Sequence, residues 1–122
     1  MSGGLVIAGN AENYSLSVDA IKNERFPVFL ISQVKTLYRL PKLHRFLYAV
    51  VIDGNLFNSC VSDDYIQQFH TSSTQPLFVL TSWFKMNPLK QAIELGFDEY
   101  LSKPVTTEQL IGLFKKYNTL IN

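Results

Sequence analysis

The chain has little cysteine, little net charge and no long apolar run. Cys60 is the single cysteine among 122 residues, which excludes an intramolecular disulfide and a zinc site built on thiolates. Eleven basic and ten acidic residues give a net charge of +1, so no global field attracts nucleic acid or acidic lipid. The longest apolar run, Phe46 to Ile52, is far shorter than the roughly 18 residues that a membrane-spanning helix needs.

Glycine and proline are also scarce, at six and five residues, whereas hydrophobic residues make up 47% of the chain. This composition can fill a core, and it excludes disordered and fibrous classes. Met1 to Gly4 carry no basic side chain ahead of the apolar stretch that begins at Leu5, so no secretory signal is expected. The length suits one domain over residues 1–122, and we expect this domain to work in the cytoplasm.

Two kinds of segment alternate along the chain. The chain has five short apolar runs, and each run is followed by a segment whose apolar residues recur at helical spacing. Several of these runs are continuous, as is typical of strands buried on both faces. The runs are Leu5–Ala8, Val28–Ile31, Tyr48–Ile52, Leu77–Leu80 and Glu99–Leu101. Five βα units predict an α/β fold: a flavodoxin-like (βα)5, doubly wound, five-stranded parallel sheet.

Turn and capping residues mark some of the helix boundaries. Helical spacing extends over Gln33–Leu47, but Pro41 in its middle removes a hydrogen bond and predicts a break or kink there. Asn87 is the expected N-cap of the fourth helix, and Thr106 or Thr107 is the expected cap of the last.

Polar side chains follow the predicted strands at their carboxyl ends. Asp53 follows the third strand, Thr81 the fourth, and Lys103 comes shortly after the fifth. Because parallel strands present these ends at one edge of the sheet, we expect the three side chains to converge. A carboxylate nucleophile, a hydroxyl donor and an ammonium group form a set that can accept a phosphoryl group.

Three segments carry a resemblance to a known family. Val50–Asp53, Val79–Ser82 and Gly96–Pro104 resemble the signature segments of two-component response-regulator receiver domains, over nearly the whole chain. The resemblance implies that Asp53 is the phosphoacceptor of a signal-transduction phosphorelay. It further implies the following roles: phosphate contact by Thr81 and Lys103, switching by Thr81 and Tyr100, and a metal ligand in the Asn55 carbonyl group.

The chain departs from this family at the end of the first strand. Receivers usually carry two adjacent acidic residues there, which hold Mg²⁺ beside the acceptor aspartate, whereas this chain has Gly9 and Asn10. The remaining candidate metal ligands are Asp53, Asn55 and Asn10, a weak set for a hard cation that prefers carboxylate oxygens. The resemblance implies Mg²⁺ as a cofactor, but Asp53 and Lys103 already sum to zero charge without it.

The same resemblance implies partners and no independent enzymatic activity. A histidine kinase or phosphotransfer protein would supply the phosphoryl group, and an output protein or domain, or a second copy of the chain, would read the result. Direct binding of nucleic acid is not expected. Candidate contact residues follow the switch threonine or lie on the surface of the fourth helix, fifth strand and fifth helix: Trp83, Phe84, Leu89, Ile93, Leu110 and Phe114.

Two alternatives stay open at this stage. The missing acidic pair favours a pseudo-receiver that is locked by a Lys103–Asp53 ion pair and binds proteins, or dimerises, without phosphorylation. The run Val51–Leu56 with a later threonine and lysine also looks like haloacid-dehalogenase-type phosphatases. That family places its nucleophile on the first strand and a second acidic residue two positions later, where this chain has Asn55.

Overall fold

Five strands form one parallel sheet in a computed structural model of the chain, which describes residues 4–24, 27–40, 47–57, 65–69, 77–83 and 88–121. The strands are β1 (Gly4–Ala8), β2 (Val28–Ile31), β3 (Leu47–Asp53), β4 (Leu77–Ser82) and β5 (Glu99–Ser102). Their spatial order is β2-β1-β3-β4-β5, which is the flavodoxin-like order. The predicted fold class is confirmed.

Helices connect the strands on both faces of the sheet. They are α1 (Ala11–Asn23), α2 (Val34–Leu37), a 3₁₀ helix (Ile66–Phe69), α3 (Pro88–Glu94) and α4 (Thr107–Ile121). The Asn10 side chain caps α1, because its Oδ1 accepts a hydrogen bond from the Glu12 amide at 2.7 Å. Within the described ranges, no helix has the length and apolar character that crossing a membrane requires.

The helical pattern over Gln33–Leu47 is only partly realised. Helix α2 ends at Leu37, and Leu47 opens β3, where it pairs with Gly4 of β1. The predicted helical role of Leu47 is therefore wrong. The strand that begins there is rich in β-branched residues and gains a parallel ladder on each side, which outweighs the helical spacing upstream. The expected break at Pro41 lies outside the described residues.

Alternate strand residues build two separate cores, one on each face of the sheet. Leu5 and Ile7 of β1 face α1 and α4, whereas Val6 and Ala8 face the 3₁₀ helix and α3. In the core that contains Val6 and Ala8, aromatic rings contact each other edge to face, with ring centroids 5.0 to 6.4 Å apart. The rings in this chain of contacts are Tyr65, Phe69, Phe78 and Phe97.

Two of the predicted partner contacts belong to the core instead. Leu110 and Phe114 are fully buried and pack with Leu5 and Ile7 under α4. The prediction that they lie on a partner surface is wrong, because they form the apolar stripe that attaches α4 to the sheet. Trp83 and Ile93 are 58% and 59% exposed. Phe84 and the side chain of Leu89 lie outside the described residues.

Helix α4 begins with a reciprocal capping arrangement. Thr106 Oγ1 accepts a hydrogen bond from the Gln109 amide at 3.1 Å, while Gln109 Oε1 accepts one from the Thr106 amide at 2.9 Å. Two amide groups at the helix start are thereby satisfied, in the manner of a capping box. Of the two expected caps, Thr106 holds this position.

Replacing Thr106 by Ala should lower the free energy of unfolding by about 1 kcal/mol, because the Gln109 amide loses its acceptor. Thr106→Ser keeps a hydroxyl and should stay within about 0.5 kcal/mol of the wild type. Urea unfolding followed by circular dichroism measures both values. Equal losses in the two variants would contradict a role for the hydroxyl.

Candidate functional site

The carboxyl edge of the sheet brings together the three side chains that the sequence selects. Asp53 is the last residue of β3 and pairs in register with Thr81 of β4, and Lys103 directly follows β5. The strand order reverses between β1 and β3, so Asp53 lies at the point of an open α/β sheet where ligands usually bind. The Lys103–Pro104 peptide bond that follows the site is cis.

Both carboxylate oxygens of Asp53 accept hydrogen bonds. Oδ1 accepts from Lys103 Nζ at 2.8 Å and from the amides of Asn55 and Leu56 at 3.0 and 3.3 Å. Oδ2 accepts from the Tyr14 hydroxyl at 2.9 Å. Asp53 is only 2% exposed, and such donors and a positive partner offset the cost of burying a carboxylate.

Lys103 supplies the positive charge that balances Asp53. Its side chain is 14% exposed, so the ion pair is largely shielded from water. The ammonium group also lies 5.9 Å from the centre of the Trp83 ring, within the range of a cation–π contact. At rest the pair sums to zero charge, as the sequence predicts.

Tyr14 is the site residue that sequence reasoning missed. It lies in the second turn of α1, and its hydroxyl contacts both Asp53 Oδ2 and Thr81 Oγ1, at 2.9 and 3.2 Å. In the sequence it belongs to the apolar stripe of the first helix, which predicts a core residue only. The available signal is Gly9, since a glycine at the strand end leaves room for a ring from the helix that follows.

Burial raises the pKa of Tyr14 from 10.0 to about 12, and the nearby negative charge of Asp53 acts in the same direction. A contact with Thr81 opposes this shift in part. The phenol is therefore neutral at physiological pH, and its proton is available for donation to Asp53.

The two asparagines near the site have structural contacts of their own. The Asn55 amide group of the main chain donates to Asp53, and its side-chain Oδ1 accepts from the Trp83 amide at 3.3 Å. Asn55 thereby links the loop after β3 to the loop after β4. Asn10 is exposed and uses Oδ1 to cap α1.

Tyr100 connects the site to the far edge of the sheet. Its hydroxyl lies 2.9 Å from Ser82 Oγ and donates to the Ser82 carbonyl oxygen at 3.2 Å. Ser82 directly follows Thr81, and its carbonyl oxygen also accepts from the Lys103 amide at 2.8 Å. A shift of Thr81 or Lys103 would therefore reach the Tyr100 hydroxyl through one residue.

The residues present do not fit a carboxylate-rich magnesium site. In the part of the chain that the structure describes, no three His, Cys, Asp or Glu side chains cluster, and Asn10 Oδ1 is engaged at the helix start. Mg²⁺ prefers several oxygen ligands in octahedral geometry. A magnesium ion would have to compete with Lys103 and Tyr14 for the oxygens of Asp53.

Comparison with known proteins rests on structure alone. No protein-family model and no curated protein sequence matches the chain. The receiver domain of the TMAO respiratory system response regulator TorR superposes with a TM-score of 0.75 at 15% identity, covering 98% of this chain and 99% of that one. An atypical orphan response regulator with a phosphorylation-independent regulatory mechanism gives 0.72 at 14% identity, covering 92% of each chain.

A third solved structure holds a metal. The receiver domain of the sensor histidine kinase PA1611 from Pseudomonas aeruginosa has a magnesium ion coordinated in its active site cleft. It gives a TM-score of 0.69 at 15% identity and covers 95% of this chain and 98% of that one. The chain therefore has the fold of response-regulator receiver domains.

Replacing Lys103 by Met should lower the free energy of unfolding by about 3 kcal/mol, because the Asp53 carboxylate would remain buried without a positive partner. Lys115 provides a matched control, since it pairs with Glu24 at 3.3 Å in an exposed position. Lys115→Met should cost less than about 1 kcal/mol. Chemical denaturation of both variants measures the difference, and similar losses would contradict a shielded pair.

Tyr14 should make the protein less stable as the pH rises from 10 to about 12. In this interval the unfolded chain loses the Tyr14 proton while the folded protein keeps it, so deprotonation favours unfolding. Tyr14→Phe should show a smaller decrease in stability over the same interval. Urea unfolding midpoints of the two proteins test this, and parallel decreases would argue against a raised Tyr14 pKa.

Proposed function

We propose that the chain is a receiver module of a two-component pathway, with Asp53 in the position of the phosphoacceptor. The observation that carries the proposal is the contact of Lys103 Nζ with Asp53 Oδ1 at 2.8 Å, beside Thr81, at the carboxyl edge of a receiver-type sheet. Three residues that are far apart in the sequence form one polar site there. We take the chain as one receiver-like domain.

The donors around Asp53 are suited to hold a phosphoryl group. In the transfer, an Asp53 oxygen forms a bond to phosphorus, and the phosphorus–nitrogen bond of a donor phosphohistidine breaks, so that imidazole leaves with the electron pair. The product carries more negative charge than the resting carboxylate. The Lys103 ammonium and the Asn55 amide, which contact the carboxylate, would stabilise it together with the hydroxyl of Thr81, the residue paired in register with Asp53.

The signal would leave the site through Thr81, Ser82 and Tyr100. Their contacts lead to the surface of α3, β5 and α4, on which the exposed Ile93 lies. Trp83, also exposed, extends this surface over the site itself. A change at Asp53 that shifts Tyr100 would alter what this surface binds.

In this proposal the chain is a cytoplasmic signalling module and not an enzyme. Its upstream partner is a histidine kinase or a phosphotransfer protein, and its downstream partner is an output protein or domain, or a second copy of the chain. Asp53 ends the third strand of the sheet and not the first, which disfavours the phosphatase alternative.

A second candidate is a receiver that works without phosphorylation. The observation in its favour is that Lys103 and Tyr14 already satisfy both oxygens of Asp53, with no acidic companion at Gly9 or Asn10. In that case the resting surface is the one that partners recognise.

A two-dimensional amide NMR titration with beryllium fluoride, a phosphoryl mimic, tests the first proposal. We expect shifts at Asp53, Thr81 and Lys103 that extend to Tyr100, because the mimic would replace the resting contacts of the carboxylate. Mg²⁺ is added first, by itself, to measure metal binding separately.

The control is Asp53→Ala, in which the shifts should vanish. Shifts that persist in this variant would place the mimic elsewhere and contradict the acceptor role of Asp53. A wild-type spectrum that does not change at all would support the second candidate.

A further inference from the structure

The ring of Tyr14 lies in a space that only glycine at position 9 leaves open. A Cβ atom built on Gly9 would fall 2.3 and 2.5 Å from two carbons of the Tyr14 ring. The three heavy atoms nearest to this Cβ position all belong to Tyr14. Any side chain at position 9, including a carboxylate, is therefore incompatible with the ring in this place.

The absence of an acidic residue at position 9 and the position of the Tyr14 ring are consequently linked, because a side chain at position 9 would clash with the ring. At the site where the family resemblance leads one to expect a carboxylate, this chain places the edge of an aromatic ring. The hydroxyl of that ring reaches Asp53 Oδ2 at 2.9 Å and Thr81 Oγ1 at 3.2 Å. Tyr14 thus bridges the two side chains on β3 and β4 that a phosphoryl group would have to join.

Tyr14 also covers the more available oxygen of the acceptor. Oδ1 of Asp53 has three donors, namely Lys103 Nζ and the amides of Asn55 and Leu56. Oδ2 has the Tyr14 hydroxyl. The hydrogen bond from Tyr14 engages one lone pair of Oδ2 and lowers its nucleophilicity, so Oδ2 becomes a better nucleophile when Tyr14 has left it.

The ring has space to leave without a change in the fold. A cleft of about 270 Å³ opens beside Tyr14 and is lined further by Asn13, Trp83, Lys103, Pro104 and Val105. Tyr14 belongs to a regular helix that Asn10 caps, so rotation about its side-chain bonds would move the ring while α1 stays in place.

We propose that Tyr14 is an internal gate of the Asp53 site. Its hydroxyl occupies the accepting oxygen in the resting protein, and the site takes a phosphoryl group only after the ring has left Gly9. This inference rests on the proposed function of Asp53 as phosphoacceptor. Gly9 acts as a positioning residue, because the absence of a side chain at position 9 allows the Tyr14 ring to lie over the site.

The test is the initial rate at which acetyl phosphate modifies Asp53, followed by intact-protein mass spectrometry with and without Mg²⁺. In this reaction an Asp53 oxygen bonds to phosphorus and acetate leaves. Tyr14→Ala and Gly9→Ala should react about tenfold faster than the wild type or more, because the hydrogen bond to Asp53 no longer has to break and the ring no longer lies over the site. Tyr14→Phe, which keeps the ring and loses the hydroxyl, should fall between them and the wild type.

Tyr65→Phe is the matched control. Tyr65 is also buried, and its hydroxyl donates to the Leu37 carbonyl oxygen at 2.6 Å, on the other face of the sheet. This variant should react at the wild-type rate, and Asp53→Ala should not react. If the Tyr14 variants react at the wild-type rate or more slowly, Tyr14 is not a gate, whereas the acceptor role of Asp53 stands.

A second measurement does not depend on phosphorylation. Gly9→Ala should destabilise the wild type but not the Tyr14→Ala background, since the clash requires the ring. An equal loss of stability in both backgrounds would contradict the packing of the Tyr14 ring against Gly9. If this packing is verified and no variant reacts with acetyl phosphate, Asp53 is not a phosphoacceptor and Tyr14 is not a gate.

Discussion

The site depends on satisfying one carboxylate from which almost all water is excluded. Asp53 is 2% exposed, and an unpaired charge at such a position would be very costly. One ammonium, one phenol and two main-chain amides offset that cost. These donors come from α1, from the loop after β3 and from the segment after β5, so β1, β3, β4 and β5 have to be assembled before the carboxylate is satisfied.

The strand order explains how so many segments reach one residue. With β3 between β1 and β4, Asp53 has the end of β1 on one side and Thr81 on the other. Helix α1 begins at that end of β1, which brings Tyr14 over Asp53, and β5 on the far side of β4 brings Lys103. The same order thus supplies a positive charge from one direction and an aromatic ring from the other.

Two of the solved structures that share this fold are described by different features. One has a magnesium ion in its active site cleft, and another belongs to an atypical orphan regulator with a phosphorylation-independent mechanism. In the present chain Lys103 balances the charge of Asp53, and Tyr14 covers its second oxygen. The same fold is therefore compatible with a resting site whose charge is balanced by a side chain.

Much of the architecture was predictable because short continuous apolar runs that alternate with helical patterns are typical of strands covered on both faces. All five strands lie where those runs are, although Leu47 joins β3 instead of the helix before it. The convergence of Asp53, Thr81 and Lys103 followed from their places at strand ends, since parallel strands present these ends together. Leu110 and Phe114 were misplaced, because apolar spacing on a helix does not say how wide its buried stripe is.

By itself, the sequence determined the order of strands and helices, the edge of the sheet that bears the polar residues, and the absence of an acidic pair at Gly9 and Asn10. The tertiary structure alone decided what takes the place of that pair. Tyr14 is four positions beyond Asn10 and 39 positions before Asp53, and no local pattern relates its hydroxyl to that carboxylate. The contact exists because a ring from α1 fills the space above a glycine, which is a property of packing in three dimensions.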